Sequence, residues 1–271
     1  GIFSASWQDI VSGLGWGLGY FGMPHILVRF MSIEKPSMIK KSSTVAIIWV
    51  IISLFSAVLI AYFGRMIMGA ELLANGSQKL VFIAMSRKFF PAAICGLLLA
   101  AIIAASISTA DSQLLVASSS FTADLYKPFF RKNATEKETL MVGRILVLIL
   151  SAIAFLIANS KGSGAQAIMD MVENAWGAFG ASFGPIIILS LLWRGVTRNG
   201  ALVGIIVGAL TVLVWHQGAW WGMYEIIPGF VLSFIAIVVV SLLDPNKPSA
   251  TMIETFDKVQ HKLEDVKKQL A

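Results

Sequence analysis

Four residues of the stretch "AAIIAASISTADSQLLVASSSF" have the spacing that places side chains on one face of a helix. They are Ala105, Ser108, Thr109 and Ser112, at i, i+3, i+4 and i+7. The Ser108 and Thr109 hydroxyls, with the Ala105 carbonyl, offer the hard oxygen ligands that a small cation prefers, and the carbonyl is free for this only if its helix bond is loosened. Alternatively, the hydroxyls bond back to their own helix or join neighbouring helices. The residues alone leave both readings open.

Asp111 lies in the same stretch, which is apolar enough to cross a membrane. An acid at membrane depth is a functional-site hypothesis by default. Asp111 is therefore a candidate coupling or structural acid, and the alternative is a pairing with a basic group near the inner surface.

A second stretch, "GWGLGYFGMPHILVRF", contains the spacing G-x-G-x-x-G at residues 17–22. A dinucleotide loop with this spacing must follow a strand, open a helix and precede an acid about 20 residues on. Here the motif lies inside an apolar segment, and the nearest downstream acid, Glu34, belongs to the next loop. No nucleotide site is expected.

The glycines of this stretch, together with Pro24, instead weaken a helix inside an apolar span. An interrupted span of this kind points to the solute site of a transporter, because freed backbone groups are tolerated where they line a cavity. Trp16, Tyr20 and Pro24, spaced i, i+4 and i+8, form its candidate face. The alternative is close helix packing through small residues with a proline kink.

The composition indicates what surrounds these helices. Hydrophobic residues make up 57% of the 271 residues, charged residues 13%, and the mean hydropathy is +0.79. A soluble domain carries about a quarter charged residues, so most of this surface must face lipid. The net charge of +6 is spread over short loops, which argues against nucleic acid as a partner. Cys95, the single cysteine, is expected to be a buried apolar residue.

A membrane helix needs about 20 apolar residues, and seven segments meet this length. They are residues 7–31, 44–68, 91–120, 141–160, 167–193, 199–216 and 224–243. The predicted fold class is an all-α integral membrane protein with seven transmembrane helices. The first and fifth segments are rich in glycine and aromatic residues.

The basic residues of the loops predict the orientation. One set of loops, around 29–41, 127–144, 194–198 and the tail, holds 16 of the 21 Lys and Arg residues, and the other holds 5. The richer set is cytoplasmic by the positive-inside rule. The N-terminus is therefore predicted outside and the C-terminus in the cytoplasm.

The tail, residues 244–271, is predicted to be a short amphipathic cytoplasmic helix because its apolar residues recur every three or four positions. Thr251 and Glu254 have capping-box spacing. Glu254/Lys258 and Glu264/Lys268 are i,i+4 pairs. The helix is expected on the bilayer or the inner protein face, or paired as a short coiled coil.

The motifs resemble those of the sodium:solute symporter family, and most closely its sodium/proline branch. "GLGYFGMPHILVRFM" is similar to the family's broken seventh span and "ISTADSQLLVASSSFTADLY" to its ninth-span signature. "NAWGAFGASFGPIIILSLLWRGVTRNGALVGIIVGALTVLVW" resembles the eleventh and twelfth spans, and "YEIIPGF" the entry to the next. The resemblance runs from residue 1 to about residue 243.

The resemblance implies roles for particular residues. In the proline branch the positions of Trp16 and Tyr20 contact the substrate, and that of Pro24 shapes the site. The family's sodium site implies Ser108, Thr109 and the Ala105 carbonyl as ligands. This chain departs from the branch at Met23, commonly Gln there, and Asp111 replaces an uncharged residue of some members. The exact substrate therefore stays open.

The resemblance also implies a leucine-transporter-type fold of two inverted five-helix repeats and about thirteen spans. Residues 5–193 correspond to the second repeat, 199–243 to two additional spans and 244–271 to the tail, with 1–243 as the transmembrane domain. The chain is thus expected to lack an N-terminal half, its partner in the complete transporter.

The expected function is sodium-coupled symport of a small solute, L-proline first, across the plasma (bacterial inner) membrane. Another amino acid, pantothenate or a small carboxylate is the alternative substrate. A transporter-like sensory module is a rival class, although no kinase sequence follows. An enzyme is not expected, because Ser108 and Thr109 have no nearby histidine base in the sequence.

Overall fold

The computed structural model describes residues 5–35, 37–74, 77–160, 165–218 and 220–270. Within these ranges the chain is helical with short connections and contains no strand. The helices are α1 (Trp7–Gly19), α2 (Pro24–Met31), α3 (Met38–Ala74), α4 (Val81–Phe89), α5 (Ala92–Ser120), α6 (Glu136–Ser160), α7 (Ala165–Leu192), α8 (Arg198–Gly218), α9 (Ile226–Leu243) and α10 (Ala250–Leu270). Short 3₁₀ turns lie at Gln78–Leu80 and Trp220–Gly222, and a π-helix spans Phe121–Phe130.

Six helices in the described part of the chain are long and apolar enough to cross a membrane. They are α3, α5 with its π-helical extension, α6, α7, α8 and α9, and they correspond to the second to seventh predicted segments. The first predicted segment is not one continuous helix. It is divided into α1, of 13 residues, and α2, of 8 residues. The prediction of an interruption in this segment is confirmed.

Two elements were not predicted from the hydropathy pattern. The short helix α4 lies in the connection that follows α3, and the π-helix continues α5 as far as Phe130, ten residues beyond the predicted end at 120. Its last turn has the i→i−5 hydrogen bond that defines a π-helix, since the Arg131 N–H donates to the Tyr126 carbonyl at 3.0 Å. The polar residues after position 120 end the apolar run but not the helix. Hydropathy alone therefore places the end of this helix too early.

The chain divides into two compact units, and the first holds residues 1–33 and 161–271. Its centre is the bundle of α7, α8 and α9, in which Ala181, Val212 and Ile237 are fully buried. Glycines on α8 let the backbones approach closely. A Cβ at Gly208 would meet the Ala181 carbonyl of α7, and one at Gly204 would meet the Ile237 side chain of α9. Small residues commonly form such interfaces between membrane helices.

The second unit, residues 34–160, contains α3 to α6. Its described side chains are mostly exposed, and Cys95, predicted to be buried, is 7% exposed. The Ser118 hydroxyl of α5 donates to the Gly143 carbonyl of α6 at 3.0 Å, which joins these two helices.

The tail is helical as predicted, but the predicted capping box is wrong. The helix α10 begins one residue before Thr251, and the Ser249 hydroxyl accepts from the Met252 N–H at 3.3 Å. Glu254 instead pairs with Lys258 at 2.7 Å, as the i,i+4 spacing predicted. The Lys268 side chain lies outside the described residues, so the pair with Glu264 stays a prediction.

The tail helix contacts the end of α7. The Gln260 amide donates to the Leu191 carbonyl at 2.7 Å. That carbonyl lies in the last turn of α7, where backbone acceptors lack helical partners. Of the positions predicted for the tail, contact with the protein itself is the one that this structure contains.

Candidate functional site

The interruption between α1 and α2 is the central feature of the first predicted span. The helix α1 ends at Gly19, and residues 20–23 turn the chain before Pro24 opens α2. Proline is favoured in the first turn of a helix because it has no N–H to leave unsatisfied there. The sequence therefore ends one helix and begins another inside one apolar segment.

The last four carbonyls of α1 have no partner within the helix. Two of them accept from the turn itself: Leu18 from the Phe21 N–H at 3.3 Å and Gly19 from the Gly22 N–H at 3.0 Å. The Trp16 carbonyl accepts from a different helix, because the indole N–H of Trp176 on α7 donates to it at 2.9 Å.

Four aromatic residues, here called the aromatic cluster, gather at this helix end: Trp16, Tyr20, Trp176 and Tyr224. The Trp16 ring stacks on Tyr224 with centroids 5.4 Å apart and lies 6.0 Å from Trp176. The Tyr20 ring meets Trp176 edge-on at 5.0 Å. Tyr224 is buried, Trp16 and Trp176 are half-buried, and Tyr20 is 56% exposed. The cluster thus opens toward Tyr20.

Tyr224 is fixed at the base of the aromatic cluster by two hydrogen bonds. Its hydroxyl donates to the Glu173 carbonyl of α7 at 2.7 Å, and its backbone N–H donates to the Ser12 hydroxyl of α1 at 3.0 Å. The ring that supports Trp16 is therefore attached to both α1 and α7.

The sequence left two alternative roles for the glycines of the interrupted segment: breaking the helix, or packing closely on a neighbouring helix. The structure contains both. A Cβ at Gly19 would meet the Trp176 indole, and one at Gly22 would meet the Phe179 carbonyl of α7. Gly13 and Gly17 have open space instead. Close packing on α7 and interruption of the helix thus occur together at residues 19–22.

The predicted cation ligands lie on α5, in the other unit. The Thr109 hydroxyl donates to the Ala105 carbonyl at 3.2 Å, and the Ser112 hydroxyl donates to the Ser108 carbonyl at 2.9 Å. The back-bonding alternative is present in this structure, and α5 runs through these residues without a break. A hydroxyl that donates one hydrogen bond keeps its oxygen lone pairs. The Ala105 carbonyl, by contrast, accepts the Thr109 hydroxyl within an unbroken helix, so its helix bonding is not loosened in this structure.

Asp111 is exposed on the same helix, and its carboxylate has no hydrogen bond or ion pair to any residue in the described part of the chain. The structure thus supplies no basic partner for it within those ranges.

The structure brings Trp16 and Tyr20 together around Trp176, and it brings Thr109 to Ala105. The aromatic and the cation candidates belong to different units. Sequence reasoning missed Trp176 and Tyr224. The signal for Trp176 was the glycine- and aromatic-rich fifth segment, "NAWGAFGASFG", which has the composition of the first.

Comparisons with known proteins agree with these motifs. Residues 2–208 match the model of the sodium:solute symporter family. The sodium/proline symporter of Escherichia coli K12 is 45% identical over 254 residues, 91% of this chain and 49% of that protein. The osmoregulated proline transporter OpuE of Bacillus subtilis 168 is 42% identical over 260 residues, 94% of this chain and 52% of that protein.

A third relative, the sodium/proline symporter of Haemophilus influenzae Rd, is 40% identical over 267 residues, 95% of this chain and 52% of that protein. The chain spans about half the length of these curated relatives. The match over most of its own length, together with the interrupted first segment and the six apolar helices, means that the chain belongs to the sodium:solute symporter family.

Proposed function

We propose that this chain is the second half of a sodium-coupled symporter of L-proline. The complete protein is a transporter and not an enzyme, and its partners are the solute, the sodium ion, the lipid bilayer and the N-terminal half. No nucleic acid is involved. The names of the relatives support proline as the solute.

The observation that carries the proposal is the partly open aromatic cluster at a broken membrane helix. A pyrrolidine ring is apolar, and aromatic walls such as Trp16 and Tyr20 suit it. Pro24 shapes the site by holding the start of α2. The positive N-terminal end of a half-helix favours the carboxylate of the amino acid.

Sodium is the co-transported ion in this proposal, and Ala105, Ser108 and Thr109 are its ligands in this chain. Asp111, which lies close by in the sequence, is a coupling or structural acid. Sodium that steadies α5 against the N-terminal half raises the affinity for solute, and the coupling of the two binding free energies is reciprocal. The two repeats then alternate access around a site near the bilayer midplane.

The proposed location is the plasma membrane, the inner membrane in a bacterium. Residues 1–243 form the transmembrane domain, with the second repeat at 5–193 and two further spans at 199–243. The loop charges support a cytoplasmic tail at 244–271 and an external N-terminus for this chain.

The test is sodium-driven uptake by a full-length chimera. This chain is joined to the first half of the Escherichia coli relative and expressed in cells that lack proline transporters. We expect uptake of labelled proline that depends on an inward sodium gradient, with the intact relative as the positive control. A chimera that reaches the membrane but takes up neither proline nor any competing solute would contradict the proposal.

Two variants of the chimera test the proposed ligands. Trp16→Ala is expected to raise the KM for proline about tenfold or more, since it removes an aromatic contact and leaves a void. Thr109→Ala is expected to raise the sodium concentration for half-maximal uptake by a similar factor, and to leave uptake at saturating sodium less affected.

Ser106→Ala is the matched control for Thr109→Ala. The Ser106 hydroxyl bonds back to the Ile102 carbonyl at 3.1 Å on the same helix, as Thr109 bonds to Ala105, but it is not a proposed ligand. Equal sodium dependence in the two variants would exclude Thr109 as a ligand.

Competition identifies the solute among the alternatives. Unlabelled proline, other amino acids, pantothenate and small carboxylates are tested against labelled proline. Proline is expected to compete at the lowest concentration, and stronger competition by another solute would replace proline in the proposal.

A further inference from the structure

Trp176 is in contact with both proposed solute residues, and it does so through two different groups. Its indole N–H donates to the Trp16 carbonyl at 2.9 Å, and its ring meets the Tyr20 ring edge-on at 5.0 Å. We propose that Trp176 is a positioning residue that fixes the separation and orientation of Trp16 and Tyr20 at the helix break. This inference rests on the proposed function and adds a residue to its site.

The hydrogen bond fixes the backbone. The Trp16 carbonyl lies in the last turn of α1, where no backbone N–H of the helix is available to it. A buried or half-buried carbonyl that loses its partner is costly, so the indole N–H holds the end of α1 against α7. The position of the Trp16 side chain follows from the position of that turn.

The ring contact fixes the exposed member of the aromatic cluster. Tyr20 is 56% exposed, and Trp176 carries the only aromatic ring in the described part of the chain that its own ring contacts. Edge-to-face packing on Trp176 gives the ring a preferred orientation. Tyr20 therefore depends on α7 for the orientation of its solute-facing surface.

Gly19 leaves the space in which the indole lies. A Cβ at this position would overlap the Trp176 ring. The absence of a side chain at Gly19 and the presence of the indole at Trp176 are thus two parts of one contact. Substitution at either position should disturb the same geometry.

The first test uses Trp176→Phe in the chimera, which keeps an aromatic ring and removes the N–H donor. Loss of one such bond is expected to raise the KM for proline about two- to tenfold, while Vmax per transporter in the membrane stays within about twofold. Trp176→Ala, which also removes the ring, is expected to raise the KM further. The concentration of sodium for half-maximal uptake should change less than the KM in both variants.

Trp215→Phe is the matched control. The Trp215 indole N–H also donates to a backbone carbonyl, that of Met223 at 3.2 Å, and its ring contacts only Trp220 and Trp221 among the aromatic rings of the described residues. It is expected to leave the KM for proline unchanged. A Trp176→Phe variant that loses only abundance or Vmax, with the KM of the wild type, would overturn the proposal.

The second test is a double-mutant cycle. Gly19→Ala alone is expected to raise the KM because the new methyl group displaces the indole. In the Trp176→Ala background the same change should have little further effect, because the obstructing ring is absent. Additive effects of the two changes would contradict the proposal.

The two proposals fail in different ways. If the wild-type chimera takes up no solute, the proposed function fails. If it takes up a solute other than proline, the KM for that solute is measured instead. If uptake is normal and Trp176→Phe matches Trp215→Phe, the role of Trp176 fails and the proposed function stands.

Discussion

The two units of the chain contrast in how they bury their apolar helices. In the first unit, 39% of the residues in the apolar stretch of α7 are buried, against 22% for α8 and 33% for α9. In the second unit the corresponding figures are 0% for α3, 6% for α5 and 0% for α6. Apolar composition is high in both units, so hydropathy alone does not account for the difference.

Glycines account for the close packing within the first unit. The α8 glycines at 200, 204 and 208 recur every four residues and place the backbones of α7 and α9 against it. By comparison, α3 presents large residues such as Trp49, Leu54 and Phe55 outward. Between lipid-exposed helices, association depends on close packing and interhelical hydrogen bonds rather than on the exclusion of water. In the first unit, glycines at four-residue spacing therefore mark the contacts of α8 with its neighbours, which hydropathy does not.

The largest expected difference between the two units is in the stability lost when a glycine is replaced by alanine. Gly208→Ala places a methyl group on the Ala181 carbonyl, a backbone atom that cannot rotate away. We expect a loss of about 1–3 kcal/mol and a fall of several degrees in the Tm of the detergent-solubilised chimera.

Gly96→Ala on α5 is the control for this change, because a Cβ there would have no heavy atom within 4 Å. Its effect on stability should be within about 1 kcal/mol, with the sign set by helix propensity. Equal losses at Gly208 and Gly96 would remove the explanation by close packing.

Removal of a serine hydroxyl should also cost more stability in the first unit than in the second, although the difference is smaller than for glycine. The fully buried Ser233 of α9 donates to the Gly204 carbonyl of α8 at 2.8 Å. Ser233→Ala should cost about 0.5–2 kcal/mol, as expected for an interhelical hydrogen bond in a membrane protein. Thermal unfolding of the chimera in detergent measures this loss.

Ser106→Ala, which breaks only a bond within α5, should change the Tm by less than the uncertainty of the measurement. A cost at Ser106 as large as that at Ser233 would show that interhelical bonds do not distinguish the bundle.

The smallest effect is expected at the tail end of the bundle and depends on pH. Asp244 is buried, and its Oδ1 accepts from the Asn246 N–H at 2.9 Å. Its Oδ2 has no partner with full hydrogen-bond geometry within the described residues. The nearby Thr197 hydroxyl and the Asn246 N–H nevertheless hold the pKa of this carboxyl below its usual range.

Because the folded-state pKa is lowered, Asp244 stabilises the fold above the unfolded pKa of about 3.9, and this contribution disappears as the pH falls through the folded-state pKa. Asp244→Asn should lower the Tm at neutral pH and should reduce the loss of Tm on acidification. Glu254→Gln, in the exposed pair with Lys258, is the control and should alter neither. An unchanged acid profile in Asp244→Asn would contradict this assignment.

The interrupted segment shows how far pattern reasoning reached. The glycines and Pro24 predicted a break, because both residues weaken helical hydrogen bonding, and α1 ends at Gly19. The spacing of Trp16 and Tyr20 predicted a shared face, and both rings contact Trp176. Trp176 itself is 160 residues from Trp16 in the chain, and helical periodicity carries no information about such distant contacts.

The hydroxyls of Ser108, Thr109 and Ser112 on α5 show the opposite case. The spacing placed the hydroxyls on one helical face correctly, but it left their hydrogen-bond partners undetermined. In the structure Thr109 bonds back to Ala105. Whether these oxygens hold sodium depends on ligands beyond α5, and the uptake of Thr109→Ala relative to Ser106→Ala is the measurement that addresses it.

The sequence by itself determined the all-α class, the six long apolar helices, the break in the first segment and the amphipathic tail. These features depend on local composition and on helix-breaking residues, which act within a few positions of the chain. The tertiary structure alone decided the partners of the broken helix, the glycine contacts of α7 to α9 and the place of Tyr224 beneath Trp16. Those features depend on atoms of distant segments that approach within hydrogen-bonding or van der Waals distance, and only the folded chain brings them together.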